Sequence, residues 1–430
     1  MSRGCGDTAQ IVALACKDSD TIAASRSVSA NRRAWLLVFV LSLIAFAIIG
    51  VTLTSLSVYL PVLQQEFGWH EAEMGCLPVA MLVGMSIGNL LSGRLMAGLG
   101  VRGAIAIGTA ATGIGWAVAS LSNTLAFFMG AMALTGCGAG IATIVPGVAA
   151  ITRCFDARRG LAIGAFIGAC ALAGSIVPSI SALLIAEYGW RATFLIGGSA
   201  IGAVCLPLAA LIRISHETTS AGHSATDGAS AGTTGPAAGD VAKLPAYWLL
   251  TAALTLSQLC MNGILFSIVA FFLRHGFAQD HAVTIYSATN LMALPGLFVG
   301  GALADRYGAK AALPGVLLLQ AAGTLCLLGV TGSQTMGNGA AIAGFILLWG
   351  LAGGLPSQIG PMLLADLIGA RAFATMLGVT LTITGLIGAL APVATGWLYD
   401  ARGSYVPPII ICGLLTILAA FITLCVKRRD

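Results

Sequence analysis

Apolar residues along this chain gather into twelve runs, each set off from the next by a polar break. The runs lie near 35–62, 75–96, 103–121, 125–151, 161–186 and 192–214, and again near 247–273, 283–304, 311–331, 338–364, 373–398 and 406–426. Each is about as long as the ~20 residues a helix needs to cross a bilayer. Lipid offers the backbone no hydrogen bonds, so a spanning run of this kind must satisfy its own as a helix. The expected fold class is all-α: a polytopic membrane protein whose twelve transmembrane helices form two pseudo-symmetric six-helix bundles. The long break at 215–246 is rich in Ser, Thr, Gly and Ala, the composition of a flexible, solvated linker. The expected organisation is a disordered tail at 1–31, a bundle at 32–214, the linker at 215–246 and a second bundle at 247–430.

The two bundles read as copies of one another. Gly88, Gly93, Leu95 and Gly100 stand 208 residues before Gly296, Gly301, Leu303 and Gly308, which aligns the second run with the eighth. Gly164, Gly174, Pro178 and Gly189 stand 214 residues before Gly378, Gly388, Pro392 and Gly403, aligning the fifth with the eleventh. A parallel repeat of six-helix halves is an architecture that holds a solute between the halves near the midplane.

Composition narrows the classes further. The chain has 430 residues, of which 58% are hydrophobic and only 9% charged, values outside the range of soluble domains. The net charge of +5 is spread over the ends of apolar runs and forms no basic patch, so nucleic acid is not an expected partner. With twelve spans both termini share a side, and 18 of the 21 Lys and Arg residues then fall on that side. Cytoplasmic loops carry such an excess, so the termini and the linker are expected inside and Arg191, Arg274 and Arg402 outside. The first outer loop, with Glu66, His70, Glu71 and Glu73, has no basic residue. Eleven cysteines occur singly and mostly within apolar runs, which argues against a disulfide framework and a metal site. His216 and His223 stand alone in the linker. No phosphate-cradling G-x-x-x-x-G-K-[ST] loop is present, so no ATP-driven step and no cofactor are expected. No enzymatic cluster of His, Asp or Glu lies within the spans, and no filter sequence points to a channel.

The break between the eighth and ninth runs reads GALADRYGAK, from Gly301 to Lys310. Gly301 allows close approach of a neighbouring helix and Gly308 permits the backbone reversal of a tight turn. Through Gly301, Leu303, Ala304, Asp305, Arg306, Gly308 and Lys310 this stretch resembles the signature loop of the major facilitator superfamily. The resemblance implies a secondary transporter that works by alternating access, with Gly301, Asp305, Arg306 and Gly308 as a conformational latch. Asp305 is expected to meet the positive end of the eleventh helix when the cytoplasmic side is closed. The equivalent first-half loop, GRLMAGLGVR, has Ala97 in place of the aspartate, so the latch is expected in the second half only. Further stretches, F-x-x-R-R-G-L-A-x-G from Phe155, Phe67-Gly68-Trp69, Tyr188-Gly189-Trp190-Arg191 and Gly396-Trp397-Leu398-Tyr399-Asp400, resemble the monocarboxylate-porter and oxalate/formate-antiporter branch.

Members of that branch often carry a lysine in the first span and an aspartate and arginine in the eighth. Here Thr54, Asn290 and Leu294 stand at the matching positions, and no ionisable residue lies well inside any span. What remains is polar and uncharged. Thr251, Thr255, Gln258 and Asn262 form one stripe of the seventh helix, and Tyr286, Thr289 and Asn290 share a face of the eighth. Polar groups of this kind face another helix or a cavity. The candidate substrate-binding residues are Thr54, Gln258, Asn262, Tyr286, Asn290, Trp349 and Gln358. The expected activity is transport of a small organic solute across the cell membrane, a monocarboxylate or a related neutral or weakly acidic compound. A proton is the candidate coupling ion, the lipid bilayer is the medium and the chain is expected to act as a monomer. The alternatives are an efflux carrier for a small apolar compound and, in another class, a membrane channel or sensor.

Overall fold

The computed structural model of the protein describes residues 34–154, 159–212, 238–332 and 338–426. The expected tail at 1–31, the linker as far as 237 with His216 and His223, and Arg158 lie outside the described residues. Among the described residues ten helices are long and apolar enough to cross a membrane. Two of the ten each contain two spans. The helix Glu71–Ala119 has 49 residues, which at 1.5 Å per residue would reach about 74 Å, more than twice a hydrocarbon core. It breaks at Gly100, whose φ of 71° and ψ of 173° are open to glycine and strained for other residues. The helix Arg159–Ala200 breaks in the same way at Gly189, with φ 77° and ψ 164°. The two breaks divide the ten helices into twelve segments among the described residues, a number consistent with the twelve apolar runs.

In chain order α1 is Ala34–Phe67, α2 is 71–99, α3 is 101–119, α4 is Leu125–Ile151, α5 is 159–188 and α6 is 190–211. In the second half α7 is Pro245–Arg274, α8 is Gln279–Tyr307, α9 is Ala309–Gly329, α10 is Asn338–Ile368, α11 is Met376–Arg402 and α12 is Val406–Cys425. The internal repeat is visible in the backbone. Left-handed glycines close the same turns in each half: Gly68 and Gly276, Gly100 and Gly308, Gly189 and Gly403. Gly88 on α2 lies against the carbonyl of Cys137 on α4, and its copy Gly296 on α8 lies against the carbonyl of Leu351 on α10.

Two boundaries differ from the reading of apolar runs. The first turn is only residues 68–70, because α1 continues to Phe67 and α2 already starts at Glu71. Glu71 and Glu73 thus belong to the first turn of a helix, where its positive end favours carboxylates, rather than to a loop. The segment assigned to the linker as far as Ala246 is folded from Ala238 onward. Ala238–Val241 is one helical turn, Val241 is buried, and Pro245 opens α7 at a position that needs no N–H.

The cores show how the halves meet. One cluster joins them: Leu56, Tyr59, Leu63, Trp116 and Phe194 of the first half pack with Ile264, Phe271, Phe272, Tyr286 and Tyr405 of the second. A second cluster, including Val38, Ile48, Ile105 and Phe166, belongs to the first half alone, and a third, including Leu250, Leu313, Leu363 and Ala420, to the second half alone. The shared core lies toward the end where α1 turns into α2 and α7 into α8, here called the sealed end. The separate cores lie toward the end where α1 begins and α12 finishes, here called the terminal end. Gly93 on α2, Gly164 on α5 and Gly378 on α11 face open space there.

Candidate functional site

Three helices bring polar groups together at the join of the halves. Between Gly50 and Thr54 α1 widens into a π-helical turn, a local distortion common at functional positions. In the turn the Gly50 carbonyl accepts from the Ser55 backbone N–H at 3.2 Å and also from the hydroxyls of Thr54, at 3.0 Å, and Ser55, at 2.7 Å. The Ser55 hydroxyl in turn accepts from Ser181 on α5 at 3.0 Å. Two turns earlier on α5, the side chain missing at Gly174 leaves room for the Asn290 amide of α8 and the methyl of Thr54. Asn290 donates to the Tyr286 carbonyl at 2.9 Å, which fixes the amide on the inner face of α8 and leaves its oxygen toward α5. The Tyr286 hydroxyl lies beside Ser57 and Asn290. It is buried, and no hydrogen bond of full geometry reaches it among the described residues, a condition that costs up to about 1–3 kcal/mol unless a ligand or water answers it. Ser179 on α5 and Ser287 on α8 share a hydrogen bond of 3.0 Å above this cluster.

The second half repeats the arrangement on α7 and α11. Gly388, the copy of Gly174, leaves the space that Gln258 and Asn262 occupy. Gln258 donates to Asn262 at 3.0 Å, and Asn262 donates to the Gly388 carbonyl at 3.0 Å. Asn262 is only 6% exposed, so its amide is largely engaged within its own half, while Gln258 is half-buried and keeps its carbonyl oxygen unbonded among the described contacts. Thr251 completes the stripe on α7 by bonding Thr380 at 3.2 Å, and Thr380 donates to the Tyr247 hydroxyl. The stripe is therefore the seam between α7 and α11, with Gln258 as its most available member.

Candidate residues on α10 sit elsewhere. Trp349 ends the π-helical turn Phe345–Trp349 and presses its backbone and Cβ onto Gly323 of α9, with Phe345 stacked on it at 5.5 Å. Trp349 belongs to the buried core that the halves share, as Tyr286 does, and its indole N–H is buried without a hydrogen-bond partner among the described residues. Gln358 lies one turn beyond Gly354, which meets Leu297 of α8, so it stands toward the terminal end. The backbone of Gly308 supports the tight turn of the expected latch, with φ 84°. The side chain of Asp305 lies outside the described residues.

Residues not singled out from the sequence close the sealed end. Arg274 at the end of α7 bonds Glu71 at 3.2 Å and the Gln64 side-chain oxygen at 3.2 Å, crossing from one half to the other. Asp400 at the end of α11 accepts from the backbone N–H groups of Glu71 and Ala72 at 3.2 and 2.9 Å. A carboxylate from one half thus caps the first turn of a helix in the other, where the helix dipole favours it. Glycines allow the approach: Gly75 lies on the Pro392 carbonyl and Gly396 on the Glu71 carbonyl. Glu66 takes Arg191 at 3.7 Å and the Trp190 indole, tying α1 to α6 beside the seal. Nearer the midplane, Ser86 on α2 faces Gly385 on α11, with Asn89 three residues on. The Asn89 carbonyl oxygen is buried without a partner. An amide within a span was the signal available for Asn89, the same one that points to Asn290.

The sequence and fold have known counterparts. A family model described as Major Facilitator Superfamily matches residues 36–392 and 281–430. The 2-nitroimidazole transporter of Escherichia coli is 24% identical over 392 residues, covering 88% of this chain and 92% of that protein. Monocarboxylate transporter 12 of Mus musculus is 21% identical over 393 residues, covering 83% and 76%. Among solved structures, a bacterial homolog of the human lysosomal transporter Spinster, in an inward-facing and unoccupied conformation, superposes with a TM-score of 0.70 at 18% identity, covering 92% of this chain and 99% of that one. These relatives are transporters rather than enzymes, and this chain is a multi-pass membrane protein of the Major Facilitator Superfamily, whose members carry small organic solutes.

Proposed function

We propose that this protein carries a small organic solute, a monocarboxylate or a related neutral or weakly acidic compound, across the cell membrane by alternating access. The solute binds between the halves, against Thr54, Tyr286 and Asn290 on one side and Gln258 and Asn262 on the other. The observation that carries the reading is the Tyr286 hydroxyl, buried at the join of the halves with Ser57 and Asn290 as its polar neighbours and with no hydrogen bond of full geometry among the described residues. Around it lie hydroxyls and amides, with no fixed charge among the described residues. Such donors suit a neutral molecule, or an acid carried in protonated form, better than a permanent dianion, whose uncompensated charge would cost several kcal/mol. Two relatives bear the names of a 2-nitroimidazole transporter and a monocarboxylate transporter, which supports a small organic solute here.

The terminal end is cytoplasmic on the distribution of Lys and Arg. The shared core at the opposite end then makes this an inward-facing state, closed to the outside by the Glu71, Arg274 and Asp400 cluster. The protein works as a monomer with a proton as the coupling ion, and Asp305 latches the cytoplasmic side when it closes. The test is uptake into proteoliposomes of a panel of small organic acids and their neutral analogues, with and without an imposed pH gradient. Monocarboxylate uptake that rises with an inward proton gradient is the expected result. Gradient-independent movement of neutral analogues alone would favour a carrier of apolar compounds, and avid oxalate uptake would refute the uncharged site.

A further inference from the structure

At the sealed end a cavity of about 370 Å³ opens between α1 and α7. Pro61 and Leu273 form its apolar floor, and Gln64, Gln65, Trp69 and Arg274 supply its polar groups. We infer that this cavity is an outer binding site for a small monoanionic carboxylate, separate from the site at the midplane, with Arg274 as its anchor. No carboxylate lines the cavity. Arg274 gives its Nη2 group to Glu71 and Gln64 and lies over the Tyr399 ring at 5.5 Å, which leaves the in-plane N–H groups of Nη1 and Nε for a planar anion. The Gln64 oxygen already accepts from Arg274, so its amide N–H groups remain to donate. Gln65 is exposed and half-buried Trp69 lies flat on Phe67 at 4.4 Å, which holds the indole at the rim. The nearby carboxylates are already engaged, Glu71 by Arg274 and Asp400 by the first turn of α2. A guanidinium with an aromatic rim and an apolar floor suits an aromatic acid, whose ring and carboxylate it can hold together.

The inference rests on the proposed function only for the choice of probe. The cysteine variant Gln65→Cys supplies a reporter at the rim, its rate of maleimide modification read by mass spectrometry of the peptide that contains it. Benzoate is expected to slow modification and benzamide, its neutral isostere, to leave it unchanged. Arg274→Gln in the same background should raise the half-protecting benzoate concentration about tenfold or more. Gln64→Leu, which keeps the Glu71–Arg274 pair, should raise it by a smaller factor, about threefold. Asn290→Ala should not change it. Absence of protection, equal protection by benzamide, or protection indifferent to both Arg274→Gln and Gln64→Leu would overturn the inference. Protection lost in Asn290→Ala alone would also overturn it while leaving the midplane site standing.

Discussion

Replacing Gly75 by alanine should unseal the protein without unfolding it. A methyl group at this position would lie 2.6 Å from the carbonyl carbon and oxygen of Pro392 and 2.7 Å from the Val393 Cα. Carbon atoms in contact settle at about 3.5–4.0 Å, so α2 and α11 must separate by about 1 Å. Backbone cannot give way as a flexible side chain can. The three bonds beside this contact, Arg274 to Glu71 at 3.2 Å and Asp400 to the amides of Glu71 and Ala72 at 3.2 and 2.9 Å, would be stretched beyond useful length. Overpacking of this kind costs about 1–3 kcal/mol. The contact joins the two halves, which the proposed alternating access moves relative to each other, so the penalty is expected to fall on the sealed conformation alone. A cost of about 2 kcal/mol shifts the ratio of sealed to open molecules about thirtyfold. Gly88→Ala is the control, because its clash with the Cys137 carbonyl lies within one half and burdens every conformation alike. Spin labels at the exposed positions Gln65 and Arg402, one on each half, report the separation. Gly75→Ala should move the distance distribution outward with folded protein retained, whereas Gly88→Ala should reduce the yield of folded protein. An unchanged distribution in folded Gly75→Ala protein, or loss of fold matching that of Gly88→Ala, would refute the reasoning.

Four further outcomes are expected. Asp400→Asn removes the charge that caps α2 across the halves and should weaken the seal by about 1 kcal/mol, read as a several-fold gain in the open population with the same label pair. Gly174→Ala would place a methyl 2.9 Å from the Asn290 side-chain oxygen and 3.3 Å from the Thr54 methyl. Because the Asn290 amide can swing aside, the variant should fold and lose substrate affinity, and equilibrium binding on purified protein checks this. Asn290→Ala should weaken binding by about 1–3 kcal/mol and Asn262→Ala by less, since Asn262 already bonds the Gly388 carbonyl; unaltered affinity in both would mean that the solute binds elsewhere. Asp305→Asn should raise labelling of cysteines introduced near the terminal end while Ala97→Asp changes it little, and equal effects would discount a latch confined to the second half.

The sequence by itself determined the parts of this protein that lipid dictates. Twelve apolar runs had to be helices because a backbone in hydrocarbon can bond only to itself, and the length of each follows from bilayer thickness. The repeat was equally legible in the paired glycines of each half, Gly88 with Gly296, Gly100 with Gly308 and Gly189 with Gly403 among them, and the last two pairs occupy backbone conformations that other residues resist. Individual polar residues within spans were visible as costly to hide, which singled out Asn290, Asn262 and Gln258. What each of them meets was decided only in three dimensions. Helical periodicity says which residues share a face and nothing about what covers it. Trp349 thus went to α9, and the Thr251 stripe became the seam with α11. The seal was hidden for a related reason. Glu71, Arg274 and Asp400 are far apart in the chain and each looks like an ordinary charge at a helix end, where charge is expected for topology alone. Only the approach of α2 to α11, permitted by Gly75 and Gly396, brings the Asp400 carboxylate onto the first turn of a helix that belongs to the other half.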